Sequence, residues 1–331
     1  MKRLLFSLIF ICYQCAVCFA AEFDVIVVGT SPICLLEALY RYHSGNSVLI
    51  LEASSKCGGS WKSIDICGIQ HADLGCHTLG HDRQMLNFLQ DYVGCTIVSM
   101  DHPHLPFDAS NSPNGFYFPH GCYDMVNNLL HLIAQTDIVL LAEHPLESVY
   151  VNPDRVEAIA RSKGMNFTTK KILVTPYSEI KIENQSSPPV NKTKYFHLYL
   201  LIEDPTPQRF TFHNGIGPGI SRMMNLSYFV GLEGTGTQLI VFQTHQQHTM
   251  GSPDTYLDHL KKNNLVHNAA RILKAEPYIY EQAHYNASFG KNVPNANLIF
   301  ELLSTGHIQT MASYIPKWKK VLYSTPASST Q

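Results

Sequence analysis

The stretch Phe23-Asp24-Val25-Ile26-Val27-Val28-Gly29-Thr30-Ser31-Pro32-Ile33-Cys34, continued by Leu35 to Tyr42 and by Ser47-Val48-Leu49-Ile50-Leu51-Glu52, decides the fold. Phe23 to Val28 is a short apolar run rich in β-branched residues, the pattern of a strand buried on both faces. Gly29 to Cys34 reads as a turn, and Leu35 to Tyr42 has helical character. Ser47 to Leu51 repeats the buried-strand pattern and runs into an acid, Glu52. Strand, turn, helix and strand in this order predict a βαβ unit of the dinucleotide-binding kind. Such a turn aims backbone N–H groups and the positive helix end at a pyrophosphate. The usual fingerprint has glycine at 29, 31 and 34. Here Gly29 stands, while Ser31 and Cys34 take the other places. Ser31 is small enough for a phosphate to approach, and Cys34 for close helix–strand packing. Glu52 is suited to accept hydrogen bonds from ribose hydroxyls. A βαβ unit that holds no nucleotide is the competing reading.

The next segment is Lys56-Cys57-Gly58-Gly59-Ser60-Trp61-Lys62-Ser63. It resembles the second fingerprint of the flavin amine oxidase superfamily: a basic residue, any residue, Gly-Gly, Arg, two of any kind, then Ser or Thr. Lys56 stands for the basic residue, Ser60 replaces the Arg, and Ser63 is kept. That superfamily includes amine oxidases, protoporphyrinogen oxidases, phytoene desaturases and the Rab GDP-dissociation-inhibitor branch. The two glycines would let the backbone pass close to flavin phosphates, where Ser63 would hydrogen-bond.

The resemblance continues along the chain. Ala72-Asp73-Leu74-Gly75-Cys76-His77 looks like the Asp-x-Gly segment after the fingerprint, and Phe116-Tyr117-Phe118-Pro119-His120-Gly121-Cys122 like the family's Tyr-Pro-x-Gly-Gly step. Ile138 to Leu141 and Pro145 to Val151 are similar to the returning strands, where Leu146 and Val149 would contact adenine. Asn297 to Glu301 reads as the strand that delivers the last flavin-binding segment, with Glu301 near the ribityl chain but without the glycine usual there. A helix is expected over 307–314, broken by Pro316.

The resemblance therefore implies an α/β fold: a Rossmann-like FAD/NAD(P)-binding domain with an interleaved smaller α+β substrate domain. It implies FAD as cofactor, with hydride or single-electron chemistry at the flavin. It assigns cofactor binding to Gly29, Ser31, Glu52, Gly58, Gly59, Ser60, Trp61, Ser63, Leu146 and Glu301. His77 is the one candidate acid or base, and a structural histidine is the competing role. The substrate that the resemblance implies is an unidentified small or lipidic molecule. A binding protein on the same fold without redox activity and an oxidase of a prenyl-cysteine or other lipid are the alternative functions.

The middle of the chain predicts a mostly antiparallel sheet flooring a substrate pocket. Its expected strands are Lys170 to Val174, Tyr195 to Ile202, Phe210 to Phe212, Tyr228 to Val230 and Thr237 to Phe242. Gly215 to Gly219 beside Arg222 reads as a hairpin loop, and Glu183 to Pro189 as a polar loop. Asp254 to Asn264 predicts a helix, Asn268 to Lys274 another, and Pro277 to Tyr280 a return to the cofactor domain. The expected organisation is a signal peptide at 1–20, cofactor-domain parts at 21–75, 138–160 and 286–322, an insertion at 76–137, the substrate domain at 161–285, and a disordered tail at 323–331.

Composition fits this plan. Of 331 residues, 45% are hydrophobic, enough to fill a large core. A formal net charge of −2 gives no reason to expect a nucleic-acid partner. The 17 histidines are scattered; His245 and His248 have a usable spacing but no accompanying ligands, so no metal site is expected. Lys2 and Arg3, the apolar Leu4 to Val17 and the small residues at Cys18 and Ala20 predict a signal peptide cleaved after Ala20, hence a secreted, periplasmic or secretory-lumen protein. No later stretch is long and apolar enough to span a bilayer. Export makes disulfides among Cys34, Cys57, Cys67, Cys76, Cys95 and Cys122 an expectation, with Cys67–Cys76 the pair to test first. In a eukaryotic secretory protein, the sequons at Asn166, Asn184, Asn191, Asn225 and Asn286 would mark exposed glycan sites.

Overall fold

A computed structural model describes residues 21–100, 115–178, 180–183, 191–206, 212–214, 220–245, 251–284, 293–303 and 311–323. The described parts of Met1–Cys57, Ile133–Val190 and Tyr285–Thr305 form one compact unit, and those of Gly58–Leu132, Asn191–His284 and Gly306–Gln331 a second. Among the described residues, no helix is long and apolar enough to cross a membrane.

The first unit is built on β1 (Ala21–Val28), helix α1 (Pro32–His43) and β2 (Val48–Leu51). The chain then passes through four short strands of the second unit, β3 (Ser63–Ile66), β4 (Ile69–Asp73), β5 (Val98–Ser99) and β6 (Phe116–Tyr117). It returns to the first unit for β7 (Val139–Leu141), β8 (Ser148–Val151), β9 (Ala158–Ser162), β10 (Met165–Val174) and, near the end, β16 (Phe300–Leu302). The parallel strands run in the order β7-β2-β1-β10, with β16 parallel to the C-terminal half of β10. The N-terminal half of β10 instead pairs antiparallel with β9, and β9 with β8. The central strands are apolar on both faces because both are covered. Ile26, Leu49 and Leu51 enter a core with Val149, Val151, Ala158, Ala160, Ala296 and Ile299. The helix α1 buries its residues from Pro32 to Leu39.

The second unit is dominated by a five-stranded antiparallel sheet, ordered β12-β13-β14-β11-β15. Its strands are β11 (Asn191–Glu203), β12 (Phe212–Asn214), β13 (Arg222–Asn225), β14 (Thr237–His245) and β15 (Arg271–His284). Pairing in register puts Leu198, Met223 and Phe242 on one face, where they meet Tyr256, Leu257 and Leu260. Those last three belong to a helix, Pro253–Lys262, capped by the Ser252 side chain on Thr255 N–H. The β3–β4 hairpin is tied to this unit's sheet by Tyr199. Its hydroxyl donates to Asp73 O at 2.7 Å and accepts from Gly75 N–H at 2.9 Å. Elsewhere in the unit, the helix Arg83–Asp91 meets Ile315–Leu322 through Phe88 and Trp318, rings 5.9 Å apart.

Several expectations are corrected. Lys170 to Val174 is not a strand of the second sheet but the part of β10 that pairs parallel with β1. Tyr228 to Val230 is a turn, closed by Phe229 and Val230 N–H on Leu226 O. Asn268 to Lys274 forms no helix; Arg271 onward is β15, held by pairing along β11. Pro277 to Tyr280 lies inside that same strand. Asn297 to Glu301 begins as one helical turn (Ala296–Ile299) before β16. Pro316 sits in the first turn of Ile315–Leu322 and starts that helix rather than breaking one, since the missing N–H has no helical partner there anyway. The signal peptide at 1–20, the loops at 184–190 and 215–219, the segments 207–211 and 304–310, His248, the sequons at Asn184 and Asn286, and the tail from 324 lie outside the described residues.

All six cysteines beyond residue 20 are free thiols, so the expected disulfides are not formed. Cys67 occupies the hairpin turn, with its Sγ 3.7 Å from Tyr199 O, while Cys76 Sγ lies 3.8 Å from Val241 O. Each thiol is turned onto a strand carbonyl rather than onto the other. The sequon at Asn225 is not exposed either. Asn225 is 8% exposed and its Nδ2 donates to the buried Gln238 Oε1 at 2.7 Å. Gln238 in turn donates to the buried Asp204.

Candidate functional site

In the first unit the turn after β1 is shaped by Gly29, whose φ of +94° favours glycine and whose N–H bonds Leu51 O at 2.8 Å. A side chain added at Gly29 would meet nothing within 4 Å, so the backbone there is open to approach. Ser31 caps α1 by position but makes no side-chain capping bond; its Oγ is 3.2 Å from Cys34 Sγ. Pro32 follows without an N–H. The first-turn amides are therefore left for an anion. Cys34 is fully buried, with its Sγ 3.7 Å from Val28 O, and burial pushes its thiol up to about 12.

Glu52 closes this arrangement. It is 7% exposed, and both carboxylate oxygens are fixed. Thr30 Oγ1 donates to Oε2 at 2.5 Å and Ser54 N–H to Oε1 at 2.7 Å. A carboxylate has about four acceptor positions, so two bonds still leave capacity for a diol. Thr30 and the Ser54 amide escape a reading of the sequence. Neither carries a periodic signal; only the position of Thr30 beside the turn glycine points there.

The remaining first-unit candidates lie apart from that turn. Leu146 is buried in the apolar core with Val149. Glu301, on β16, is held by Arg41, whose Nη2 lies 2.7 and 2.8 Å from its two oxygens. Arg41 also binds the fully buried Glu37 at 2.9 Å. Glu301 is thus anchored to α1.

In the second unit, Gly58, Gly59, Ser60, Trp61 and His77 come together. Gly58 has φ +116° and introduces a single 3-10 turn, Gly59–Trp61. A Cβ on Gly58 would lie 2.9 Å from Lys62 Cα, so the turn itself requires glycine. His77 Nε2 is 2.9 Å from both Ser60 O and Leu74 O. Two carbonyls only accept, so Nε2 carries the hydrogen. The His77 ring stacks on Trp61 with centroids 4.4 Å apart. These contacts make His77 a clamp between the turn and the Asp73–Gly75 loop. Ser63 Oγ is buried with no hydrogen-bond partner.

Behind His77 lies a buried polar cluster. Asp73 Oδ2 accepts from Tyr117 OH at 2.5 Å, and Oδ1 from Cys122 N–H at 2.8 Å. Cys122 Sγ is 2.9 Å from Tyr117 OH. Burial raises the Asp73 carboxyl to about 6, against the opposing pull of Tyr117 and Cys122. A Cβ at Gly121 would fall 2.5 Å from Asp73 Oδ1, which is why glycine stands there. Among the described residues no group of three or more ligating side chains is placed to hold a metal.

Solved structures share this architecture. A candidate protoporphyrinogen oxidase from Exiguobacterium sp. 255-15 superposes with a TM-score of 0.62 at 9% identity, covering 93% of this chain and 100% of that one. Putrescine oxidase bound to putrescine gives 0.61 at 11% identity, covering 92% and 99%. A point mutant of the halogenase PltM in complex with FAD gives 0.53 at 14%, covering 91% and 69%. The fold is that of the amine oxidase-like flavoproteins. No protein-family model and no curated protein matches the sequence. In this fold the β1 turn, the N-terminus of α1 and Glu52 stand at the carboxyl ends of parallel strands, where open α/β sheets bind ligands.

Proposed function

We propose that the chain is a FAD-dependent oxidoreductase. The observation that carries the reading is the Glu52 carboxylate, oriented by Thr30 Oγ1 and Ser54 N–H beside the open Gly29 turn. Glu52 would hold the adenosine ribose, while Gly29, Ser31 and the first amides of α1 would receive the pyrophosphate. When bound, FAD accepts electrons from a substrate and passes them to an acceptor. The protein's part is to bind and orient. The test is an absorbance spectrum of the purified chain before and after addition of FAD and washing. Flavin bands near one equivalent are expected, and Glu52→Gln should weaken FAD binding by about tenfold or more, a loss on the scale of one charge-assisted hydrogen bond. A chain that stays colourless rejects the reading.

A second reading is a binding protein on this fold with the redox function lost. It is favoured by Glu301, whose carboxylate is engaged by Arg41, and by Ser31 and Cys34 at the glycine positions. Export, with cleavage after Ala20, belongs to the proposal as well; N-terminal sequencing of the protein from its native host that returned Met1 would remove it.

A further inference from the structure

One face of the five-stranded sheet carries four polar side chains in a single cross-strand row. Arg222 on β13 is paired with Gln243 on β14, Gln243 with His197 on β11, and His197 with Tyr278 on β15. Directly paired residues project from the same face, with neighbours about 5 Å apart. The row therefore runs roughly 15 Å across the sheet.

The face it occupies is fixed by contacts. A Cβ on Gly75 would fall 2.7 Å from His197 Nε2. Tyr199, two residues along β11 and so on the same face, bonds Asp73 O and Gly75 N–H. The Arg222 charge acts on the Cys76 thiol, and His77 acts on His197. The row thus looks toward the Asp73–His77 loop, away from the apolar face that carries Leu198, Met223 and Phe242.

The hydrogen-bonding capacity of the row is unused. The side chains of Arg222, Gln243 and Tyr278 make no hydrogen bond or ion pair with the described residues. His197 is 3% exposed, and its Nδ1 is buried without a partner. His197 is covered by Gly75, so the open part of the row is Arg222 and Gln243, which are adjacent across the β13–β14 pair and leave a guanidinium and an amide for a ligand. Exposure rises along the row, from buried His197 through half-buried Gln243 to exposed Arg222.

We infer that the Arg222–Gln243 end of this row is a recognition site for a carboxylate-bearing substrate, with Arg222 as the charge partner and Gln243 as the flanking donor. Arg222 presents a planar fork that matches a carboxylate. The adjacent amide of Gln243 adds a neutral donor. One fixed cation suits a monoanion; a phosphate dianion would leave half its charge unmatched, and an amine would be repelled. In calling the ligand a substrate, this inference rests on the oxidoreductase reading, but the row stands within one unit and is testable without catalysis.

The experiment is isothermal titration calorimetry of the purified chain with four probes of one shape: sodium benzoate, benzamide, benzylamine and phenyl phosphate. Benzoate is expected to bind saturably, at least about tenfold more tightly than benzamide, with benzylamine weakest. Arg222→Gln should remove the preference for benzoate over benzamide, and Arg222→Lys should keep part of it. Gln243→Glu, which sets an anion within the row, should abolish benzoate binding independently. No benzoate binding, equal affinity for benzoate and benzamide, a preference for phenyl phosphate or benzylamine, or an unchanged affinity in Arg222→Gln overturns the inference. The flavin spectrum of the same sample separates the two readings. Arg222-dependent benzoate binding in a colourless protein keeps the row and removes the flavin; a yellow protein indifferent to benzoate does the reverse.

Discussion

Gly58 shows how a residue singled out for one reason can be required for another. The glycine pair is legible as a place where backbone passes close to phosphates, but the structure gives Gly58 a second duty. With φ +116° and Lys62 Cα 2.9 Å from any added Cβ, it makes the turn possible with no ligand present. Gly58→Ala should therefore lower stability by about 1–3 kcal/mol even without FAD, as expected for a non-glycine residue forced into such backbone. A denaturant titration of the FAD-free protein reads this, and an unchanged midpoint refutes it. Thr30 is the opposite case. A hydroxyl beside a turn glycine has no sequence signature, because its partner Glu52 is 22 residues away and only the fold joins them. Cys34 lies between: its small size is readable, its orientation onto Val28 O is not.

At the scale of elements, the βαβ start is legible because buried parallel strands are continuous apolar runs, a pattern that needs no knowledge of partners. The start of β15 reads as helix because Arg271-Ile272-Leu273-Lys274-Ala275-Glu276 is made largely of good helix formers, and pairing with β11 overrides that local preference. Tyr228 to Val230 reads as strand because an aromatic turn that buries Phe229 against Tyr117, rings 5.0 Å apart, has the composition of one. The elements around Asp73 also carry a pH signature. The Asp73 carboxyl is raised from 3.8 to about 6, so its contribution is fully present below 3.8 and is lost as pH rises through 6. Burial lowers His197 from 6.5 to about 4, so its contribution is present above 6.5 and is lost as pH falls through 4. The two slopes oppose each other between pH 4 and 6. In Asp73→Asn, only the His197 slope should remain, and unfolding midpoints should climb more steeply with pH across that window. The same pH dependence in wild type and Asp73→Asn would contradict this. On α1, Arg41→Ala should be destabilising by about 1–3 kcal/mol, because it removes a charged hydrogen-bond partner from the fully buried Glu37; thermal unfolding checks it, with Arg41→Lys expected to recover part.

Over the whole molecule, the chain's first return to its starting sheet is legible, because β7 is an apolar run after a long excursion, whereas β16 is only Phe300-Glu301-Leu302 behind a helical turn. Which strands lie next to which is not legible, since β10 changes partner halfway along, from β9 to β16. The thiols offer a global check. All six are free, and Cys57 alone is only half-buried, so a thiol reagent should label it first in the folded protein. After denaturation under reduction the count should be six if the leader with Cys12, Cys15 and Cys18 has been removed, and nine, the full complement, if it has not. Asn225 has a further consequence for production of the chain. Oligosaccharyltransferases act on nascent, unfolded polypeptide, and a sugar attached to this asparagine could not be accommodated beside Gln238 once the sheet closed. If the chain enters the secretory pathway of a glycosylating host, its product should therefore divide into a secreted fraction unmodified at Asn225 and a retained fraction that carries the glycan there, whereas a host without that machinery should yield one population.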